Sequence, residues 1–318
     1  MTSAFYFFIL SFTALLWSGK VLPSAIHGIA RIMHISEFLI GFFFVALATS
    51  IPELFVGVSS AIQGVPDISL GNVLGANFIN LTLVIGLSAL IAGKIDGNGK
   101  ISSENYWITT AIAFLPILLA GDGVISRLDG ILLLAAFALY IRKILRDKKY
   151  FPAPNHKGEP VGFHSIPSVL KHLAYALASV TILIASSFVL VWSTKTIVQD
   201  YFHSEFIFFG FVFLAVGTTL PELVFGIRSA ITGNSSVVLG NTIGTISFNA
   251  AGVLGIVSIL EPIKLDFFRD IFINIAFLIA AFVLFHFFAY TKSSVNRKEG
   301  ALLLLIYILF LALTFALL

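Results

Sequence analysis

The chain has 318 residues, of which 58% are hydrophobic and 11% charged, and its mean hydropathy is +1.02. Soluble globular proteins carry about a quarter charged residues, so this composition excludes an ordinary soluble enzyme and predicts an all-α integral membrane protein. A net charge of +3 is too small to indicate a nucleic-acid partner. The absence of cysteine excludes disulfides and thiolate metal sites.

Ten apolar segments follow one another along the chain, and their lengths suit membrane-spanning helices. The first runs from Phe5 to Trp17 and is expected to continue towards Ile29 as a long, tilted helix. The other nine are predicted at 37–63, 67–93, 105–121, 125–145, 170–194, 205–232, 236–260, 268–290 and 299–317.

The second and third segments recur later in the chain. Residues 41–80 and 210–249, which we call the first and second repeat motifs, are identical at 18 of 40 positions without a gap. This identity indicates an internal duplication. Because the copies lie five helices apart, the second is predicted to cross the membrane in the opposite direction. The sequence thus predicts two inverted five-helix repeats, 1–145 and 170–318, joined by a cytoplasmic linker, 146–169.

Basic residues predict the orientation of this arrangement. With ten spans, 15 of the 19 Lys and Arg residues fall on one side of the membrane. Cytoplasmic loops carry an excess of Lys and Arg, so that side is predicted to be cytoplasmic. The chain is then a multi-pass protein of the plasma membrane with both termini outside the cell.

Two acidic residues lie deep inside apolar segments, Glu53 and Glu222. A charge at such a position costs roughly 2.5–3.5 kcal/mol on insertion scales, which makes both residues functional candidates. Each directly follows a proline, Pro52 or Pro221. Proline cannot donate a backbone hydrogen bond, so each helix is expected to open locally and free a carbonyl oxygen.

Neutral oxygen donors accompany both carboxylates. Hydroxyls lie three and four residues before each glutamate. In the next helix of each repeat, three positions spaced four residues apart are polar except for Ala76. The candidate donors are Thr49, Ser50, Asn72, Asn80, Thr218, Thr219, Asn241, Thr245 and Asn249. Carboxylate, hydroxyl, amide and carbonyl oxygens suit Ca²⁺ and Na⁺. Small polar residues also serve helix packing in membranes, and for Asn72 and Asn241 both interpretations stay open.

The sequences ATSIPEL (48–54), GTTLPEL (217–223), LGNVLGANFIN (70–80) and LGNTIGTISFN (239–249) resemble the repeat motifs of the cation/Ca²⁺ exchanger superfamily, most closely the prokaryotic type of the Na⁺/Ca²⁺ exchanger branch. This resemblance implies a core of helices 2, 3, 7 and 8, with helices 1 and 6 as sliding gates. It implies Ca²⁺ between Glu53 and Glu222, aided by backbone oxygens of Thr49 and Thr218. It implies Na⁺ positions at the same glutamates together with Ser50, Thr219, Thr245 and the carbonyls of Ala46 and Ala215, and central amide positions at Asn80 and Asn249.

Two residues depart from the family pattern. Ala76 stands where the family often has serine, and Asn249 stands where prokaryotic relatives can have aspartate. The predicted function is secondary active exchange of Ca²⁺ for Na⁺ by a monomer in the lipid bilayer, without enzymatic activity or cofactor. The alternative is H⁺/Ca²⁺ exchange with the two glutamates as proton carriers, which Ala76 favours. An intramembrane hydrolase is disfavoured, because the sequence has no HExxH or GxSxG motif.

Overall fold

The structure is a computed structural model that describes residues 2–32, 46–96, 103–146, 166–202, 206–233, 235–265, 272–292 and 294–317. The start of the first repeat motif, 41–45, and most of the predicted linker, 147–165, lie outside the described residues.

The first half of the chain is helical apart from two short strands. Its described elements are α1 (Thr2–Ile32), α2 (Ala46–Thr49), α3 (Ile51–Ile62), α4 (Asp67–Ile79), a π-helical turn (Asn80–Val84), α5 (Ile85–Ala92), β1 (Lys94–Asp96), α6 (Ser103–Leu119), a 3₁₀ turn (Ala120–Asp122), β2 (Val124–Ile125) and α7 (Arg127–Arg146).

The second half repeats this pattern. Its described elements are α8 (Ile166–Ile197), a π turn (Val198–Phe202), α9 (Phe206–Phe209), a π turn (Gly210–Leu214), α10 (Ala215–Thr218), α11 (Leu220–Ile231), α12 (Ser235–Ser247), a π turn (Phe248–Val253), α13 (Leu254–Leu260), β3 (Ile263–Lys264), α14 (Phe272–Lys292), β4 (Ser294–Asn296) and α15 (Arg297–Leu317). All ten predicted segments contain helix.

Several of these helices could cross a membrane. Within the described ranges, four stretches are long and apolar enough by length and composition: Ser3–Leu22, Asp67–Ala92, Pro167–Asp200 and Val237–Leu260. A fifth is counted if Phe206–Thr218 and Leu220–Ile231, which meet at an angle of 43°, form one span. The described residues are largely helical, so the predicted all-helical class is confirmed, whereas the ten membrane spans stay a prediction.

The two repeat motifs fold alike, residue for residue, around their breaks. Helices α3 and α11 begin 169 positions apart and have 12 residues each, and a break precedes each of them at Ser50 and Thr219. Proline at the second position of both helices fits this break, because a first-turn residue needs no intrahelical N–H bond. Both helices end in a turn that places Gly64 (φ +69°) and Gly233 (φ +78°) in a conformation that favours glycine.

Two small antiparallel pairings tie the halves together. Strand β1 pairs with β4 across Ile95 and Val295, and β2 pairs with β3 across Ile125 and Ile263. All four of these residues are fully buried. Each pairing therefore fixes a loop of one half against a loop of the other.

The centre of the fold is packed backbone against backbone. A Cβ atom added at Gly71 of α4 would lie 2.0 Å from the carbonyl oxygen of Ile207, and one added at Gly75 would lie 2.4 Å from that of Phe211. In the other direction, a Cβ at Gly210 would lie 2.4 Å from the carbonyl oxygen of Ile68. Small residues permit this close approach of membrane helices. Helix α4 is thereby held directly against the stretch that leads into α10.

We expect Gly71→Ala to destabilise the protein by about 1–3 kcal/mol, because the methyl group can be accommodated only if the two backbones separate. The measurement is the thermal unfolding midpoint of the purified protein in detergent. Gly121→Ala is the matched control, since a Cβ there meets no atom within 4 Å. Equal midpoints for the two variants would contradict the backbone packing described above.

Candidate ion-binding site

Two carboxylates lie just after the two helix breaks. Glu53 is the third residue of α3 and Glu222 the third residue of α11, and both side chains are 0% exposed. The first turn of a helix has unpaired N–H groups and the positive end of the helix dipole, which favour a nearby negative charge. The breaks thus place each carboxylate where the backbone partly stabilises it.

Hydroxyl groups reach these carboxylates across the two repeats. Ser50 Oγ donates to Glu222 Oε1 over a long distance of 3.5 Å, and the hydroxyl of Thr49 also lies close to Glu222. The hydroxyl of Thr218 lies close to Glu53. The two carboxylates are near enough to repel each other electrostatically. Each glutamate therefore faces hydroxyls of the other repeat, and both belong to one site.

The carboxylates lack counter-charges within the described part of the chain. Both oxygens of Glu53 and Oε2 of Glu222 have no hydrogen-bond partner there, and the ion pairs found there are Lys94–Asp96 and Lys143–Glu104. The same residues contain no cluster of three or more His, Asp or Glu. A buried, ionised carboxylate without a partner is costly, so this arrangement calls for a mobile cation or a proton.

Amide and hydroxyl oxygens on α4, α12 and the turns that follow add to this donor set. Asn80 begins the π turn after α4, and neither atom of its amide has a partner among the described residues. Asn249 lies in the π turn after α12, where its Nδ2 donates to Asn77 Oδ1 at 3.4 Å and its Oδ1 has no partner. The Thr245 hydroxyl is likewise buried without a partner. These amide and hydroxyl oxygens are therefore buried without hydrogen-bond partners among the described residues.

The two predicted alanine carbonyls are engaged within their own helices. Ala46 O accepts from the amide of Ser50 at 3.2 Å and from Thr49 Oγ1 at 3.3 Å. Ala215 O accepts from the amide and the hydroxyl of Thr219, at 3.1 and 2.6 Å. Because a carbonyl oxygen has two lone pairs, a Na⁺ ion at either position would have to displace a hydroxyl bond.

Two asparagines join the predicted residues through hydrogen bonds. Asn72 Oδ1 accepts from Thr218 Oγ1 at 3.0 Å, and Asn77 Oδ1 is the acceptor for Asn249. Asn72 recurs as Asn241 in the second repeat motif, but helix packing could explain this recurrence as well as ion binding could. Asn77 corresponds to Ile246 in the second repeat motif, so comparing the two motifs does not single out Asn77 as a site residue.

The two flanks of the site differ. A cavity of about 250 Å³ lies between α1 and α11 and reaches Thr49 and Pro221. On the other flank, α3 is joined to α8 by contacts between Ser59 and Ser187 (3.0 Å), Gln63 Nε2 and Phe188 O (3.0 Å), and Lys195 Nζ and Gln63 O (3.1 Å). The site is thus approached along α1 and covered along α8.

Several known proteins are similar to this chain in sequence and in fold. The family described as "Sodium/calcium exchanger protein" matches residues 3–144 and 171–316. "Putative antiporter CaxA" of Alkalimonas amylolytica is 29% identical over 97% of both chains, and "Sodium/calcium exchanger MaX1" of Methanosarcina acetivorans is 25% identical over 90% of this chain and 91% of its own length.

Among solved structures, the sodium-calcium exchanger NCX_Mj soaked with 100 mM Na⁺ and 10 mM Sr²⁺ superposes with a TM-score of 0.68. Its sequence is 27% identical to this one, and the match covers 97% of both chains. The family match spans most of both halves of the chain. The resemblance predicted from the repeat motifs is therefore confirmed, and the chain belongs to the sodium/calcium exchanger protein family.

Proposed function

We propose that this protein is a secondary active antiporter that exchanges Ca²⁺ for Na⁺ by alternating access at a site between Glu53 and Glu222. In this proposal ten helices cross the plasma membrane as two inverted repeats, both termini lie outside the cell, and a monomer suffices without a cofactor. The observation that carries the proposal is the pair of buried carboxylates, one from each repeat, that have no fixed counter-charge among the described residues.

Charge balance links these carboxylates to exchange. Two ionised glutamates are neutralised by one Ca²⁺ or by two protons, whereas three Na⁺ leave one net positive charge. If the site holds Ca²⁺ or Na⁺ but not both, movement of one requires return of the other. Exchange of three Na⁺ for one Ca²⁺ is then electrogenic, and each net charge is coupled to about 2.3 kcal/mol per 100 mV.

The difference between the two flanks supports alternating access. One flank has a cavity that reaches Thr49, whereas the other is covered by polar contacts between α3 and α8. Since α1 and α8 occupy equivalent places in the two repeats, exchanging their packing would close the first route and open the second.

Similar proteins support the choice of ions. MaX1 carries the name of a sodium/calcium exchanger, and NCX_Mj is described as a sodium-calcium exchanger. The donor set of carboxylates, hydroxyls and amides fits both ions.

One observation favours proton coupling as a second candidate. Ala76 is fully buried at the position that Thr245 occupies in the second repeat motif, so the first repeat lacks that hydroxyl. The carbonyl oxygen of Ala215 already accepts hydrogen bonds from the amide and the hydroxyl of Thr219, at 3.1 and 2.6 Å. Both features reduce the oxygen atoms available to Na⁺, while protons need only the two glutamates.

The decisive experiment compares Ca²⁺ uptake driven by a Na⁺ gradient with Ca²⁺ uptake driven by a proton gradient. We expect radiolabelled Ca²⁺ uptake into proteoliposomes to be driven by an outward Na⁺ gradient, and to be faster when the interior is positive because net positive charge leaves. Equal proton gradients without sodium serve as the comparison. Uptake driven only by protons would establish the second candidate, and uptake without either gradient would contradict obligatory exchange.

Glu53→Gln and Glu222→Gln should each abolish Ca²⁺ transport and Ca²⁺-dependent stabilisation, because one remaining carboxylate cannot neutralise a divalent ion. Ca²⁺ at 100 times its Kd should stabilise the unmodified protein by about 2.7 kcal/mol, visible as a higher unfolding midpoint. Glu261→Gln, at an exposed carboxylate, is the control and should behave as the unmodified protein does. Near-normal flux in either site variant would refute the site.

A cross-link should report on the covered flank. Ser59 Oγ and Ser187 Oγ are 3.0 Å apart, and the sequence has no cysteine of its own, so Ser59→Cys with Ser187→Cys forms a unique pair suited to a disulfide. We expect oxidation to stop Ca²⁺ exchange and a reductant to restore it, with both single variants insensitive to oxidant. Full exchange by protein shown to be cross-linked would mean that α3 and α8 do not separate during transport.

A further inference from the structure

Two cations with no described carboxylate partner line the cavity between α1 and α11. Lys20 of α1 and Arg228 of α11 are both exposed and border the same space of about 250 Å³. The described ion pairs involve neither residue. The charge balance proposed for Glu53 and Glu222 does not use these two cations.

The residues that line this cavity recur at the spacing of one face of a helix. Leu16, Lys20 and Ser24 follow one another at four-residue intervals on α1, and Val224 and Arg228 do so on α11. Val224 therefore lies closer to the ion-binding site than Arg228 does, and Ser24 lies farther from it than Lys20, whose neighbour Gly19 packs on Pro52 and Pro221. The cavity thus combines apolar side chains with two cations and a serine hydroxyl.

The reach of the two cations suits the edge of a bilayer. The Lys20 backbone follows Gly19, where an added Cβ would lie 3.1 Å from Pro221 and 3.2 Å from Pro52, so its long side chain extends from the level of the ion-binding site towards the headgroups. Lys20 lies two residues before the end of the apolar stretch Ser3–Leu22, and Arg228 lies in the last turn of α11. On the same helices, Trp17 is 51% exposed and Val224 is 42% exposed. Exposed apolar side chains suited to contact lipid chains therefore lie within four residues of each cation along its helix.

We propose that this cavity binds the phosphate headgroup of an anionic phospholipid, with Lys20 and Arg228 contacting the phosphate and the acyl chains lying along Trp17 and Val224. Arginine binds phosphate oxygens in a forked geometry, and lysine adds a second positive charge. The orientation predicted from the basic residues puts both cations on the cytoplasmic side, where the leaflet is anionic.

Bound phosphate would also change the electrostatics of access to Thr49. Without it, a Ca²⁺ ion moving along the cavity has to pass two positive charges, whereas the phosphate neutralises at least one of them. This consequence depends on the proposed transport function, and the lipid site itself does not.

The binding test uses the full-length protein, delipidated in a neutral detergent. Phosphatidylglycerol should raise its unfolding midpoint more than phosphatidylcholine does, and native mass spectrometry should detect bound phosphatidylglycerol. The double variant Lys20→Gln/Arg228→Gln should lose both effects. Arg142→Gln/Lys171→Gln, which removes two exposed cations away from the cavity, should keep them.

Two further variants guard against a folding defect. Lys20→Arg and Arg228→Lys keep the charges and should keep the preference for phosphatidylglycerol. The proposal would be overturned if phosphatidylglycerol stabilised the Lys20→Gln/Arg228→Gln variant as much as it stabilises the unmodified protein. It would also be overturned if inorganic phosphate alone reproduced the shift, because the site would then bind free phosphate.

Flux measurements separate the electrostatic role from binding. In proteoliposomes that contain phosphatidylglycerol, we expect the initial rate of Ca²⁺ uptake to exceed that in pure phosphatidylcholine by on the order of tenfold, and this difference should vanish in the cavity double variant. Transport without lipid dependence would refute the electrostatic role. Lipid binding without any Ca²⁺ transport would refute the proposed function and leave the lipid site intact.

Discussion

A negative charge in a dry interior needs a positive partner, and the rest of this fold depends on that constraint. Glu53 and Glu222 are fully buried, and the described residues place no lysine or arginine beside them. A fixed cation would offset part of the desolvation cost of several kcal/mol, but it would also remove the affinity for a mobile cation. The described residues leave this charge balance incomplete, so under the proposed function the stability of the core depends on the ions bound there.

The helix breaks and the crossed hydroxyl contacts both serve this incomplete charge balance. A continuous helix would use its backbone N–H groups internally, whereas the break at Ser50 or Thr219 starts a new helix whose first turn contains the glutamate. Ser50 bonds to Glu222, and Thr218 lies close to Glu53, so neither repeat forms a complete donor set alone. The close approach at Gly71 and Gly210 holds α4 against the stretch that leads into the break at Thr219.

Local patterns in the sequence predicted the class of the fold and its family. Hydropathy identified the helical segments, and Pro52 and Pro221 located the breaks to within two residues. The crossed pairing of Ser50 with Glu222 and the bond from Asn249 to Asn77 could not be predicted, because they depend on how the repeats pack. The carbonyl contacts of Ala46 and Ala215 depend on side-chain rotamers. The paired strands have only two or three residues, too few for a periodic signal.

The widened turns after α4 and α12 bear on the history of the chain. A π turn arises when a helix accommodates one extra residue, and such turns are rare and frequent at functional sites. Asn80–Val84 and Phe248–Val253 lie at matching places in the two halves, within one residue of the 169-residue offset. A single ancestral unit that already contained this extra residue accounts for both turns. On this account the amide-bearing turn predates the duplication, and the differences at Ala76 and Asn77 arose later on a geometry that both copies inherited.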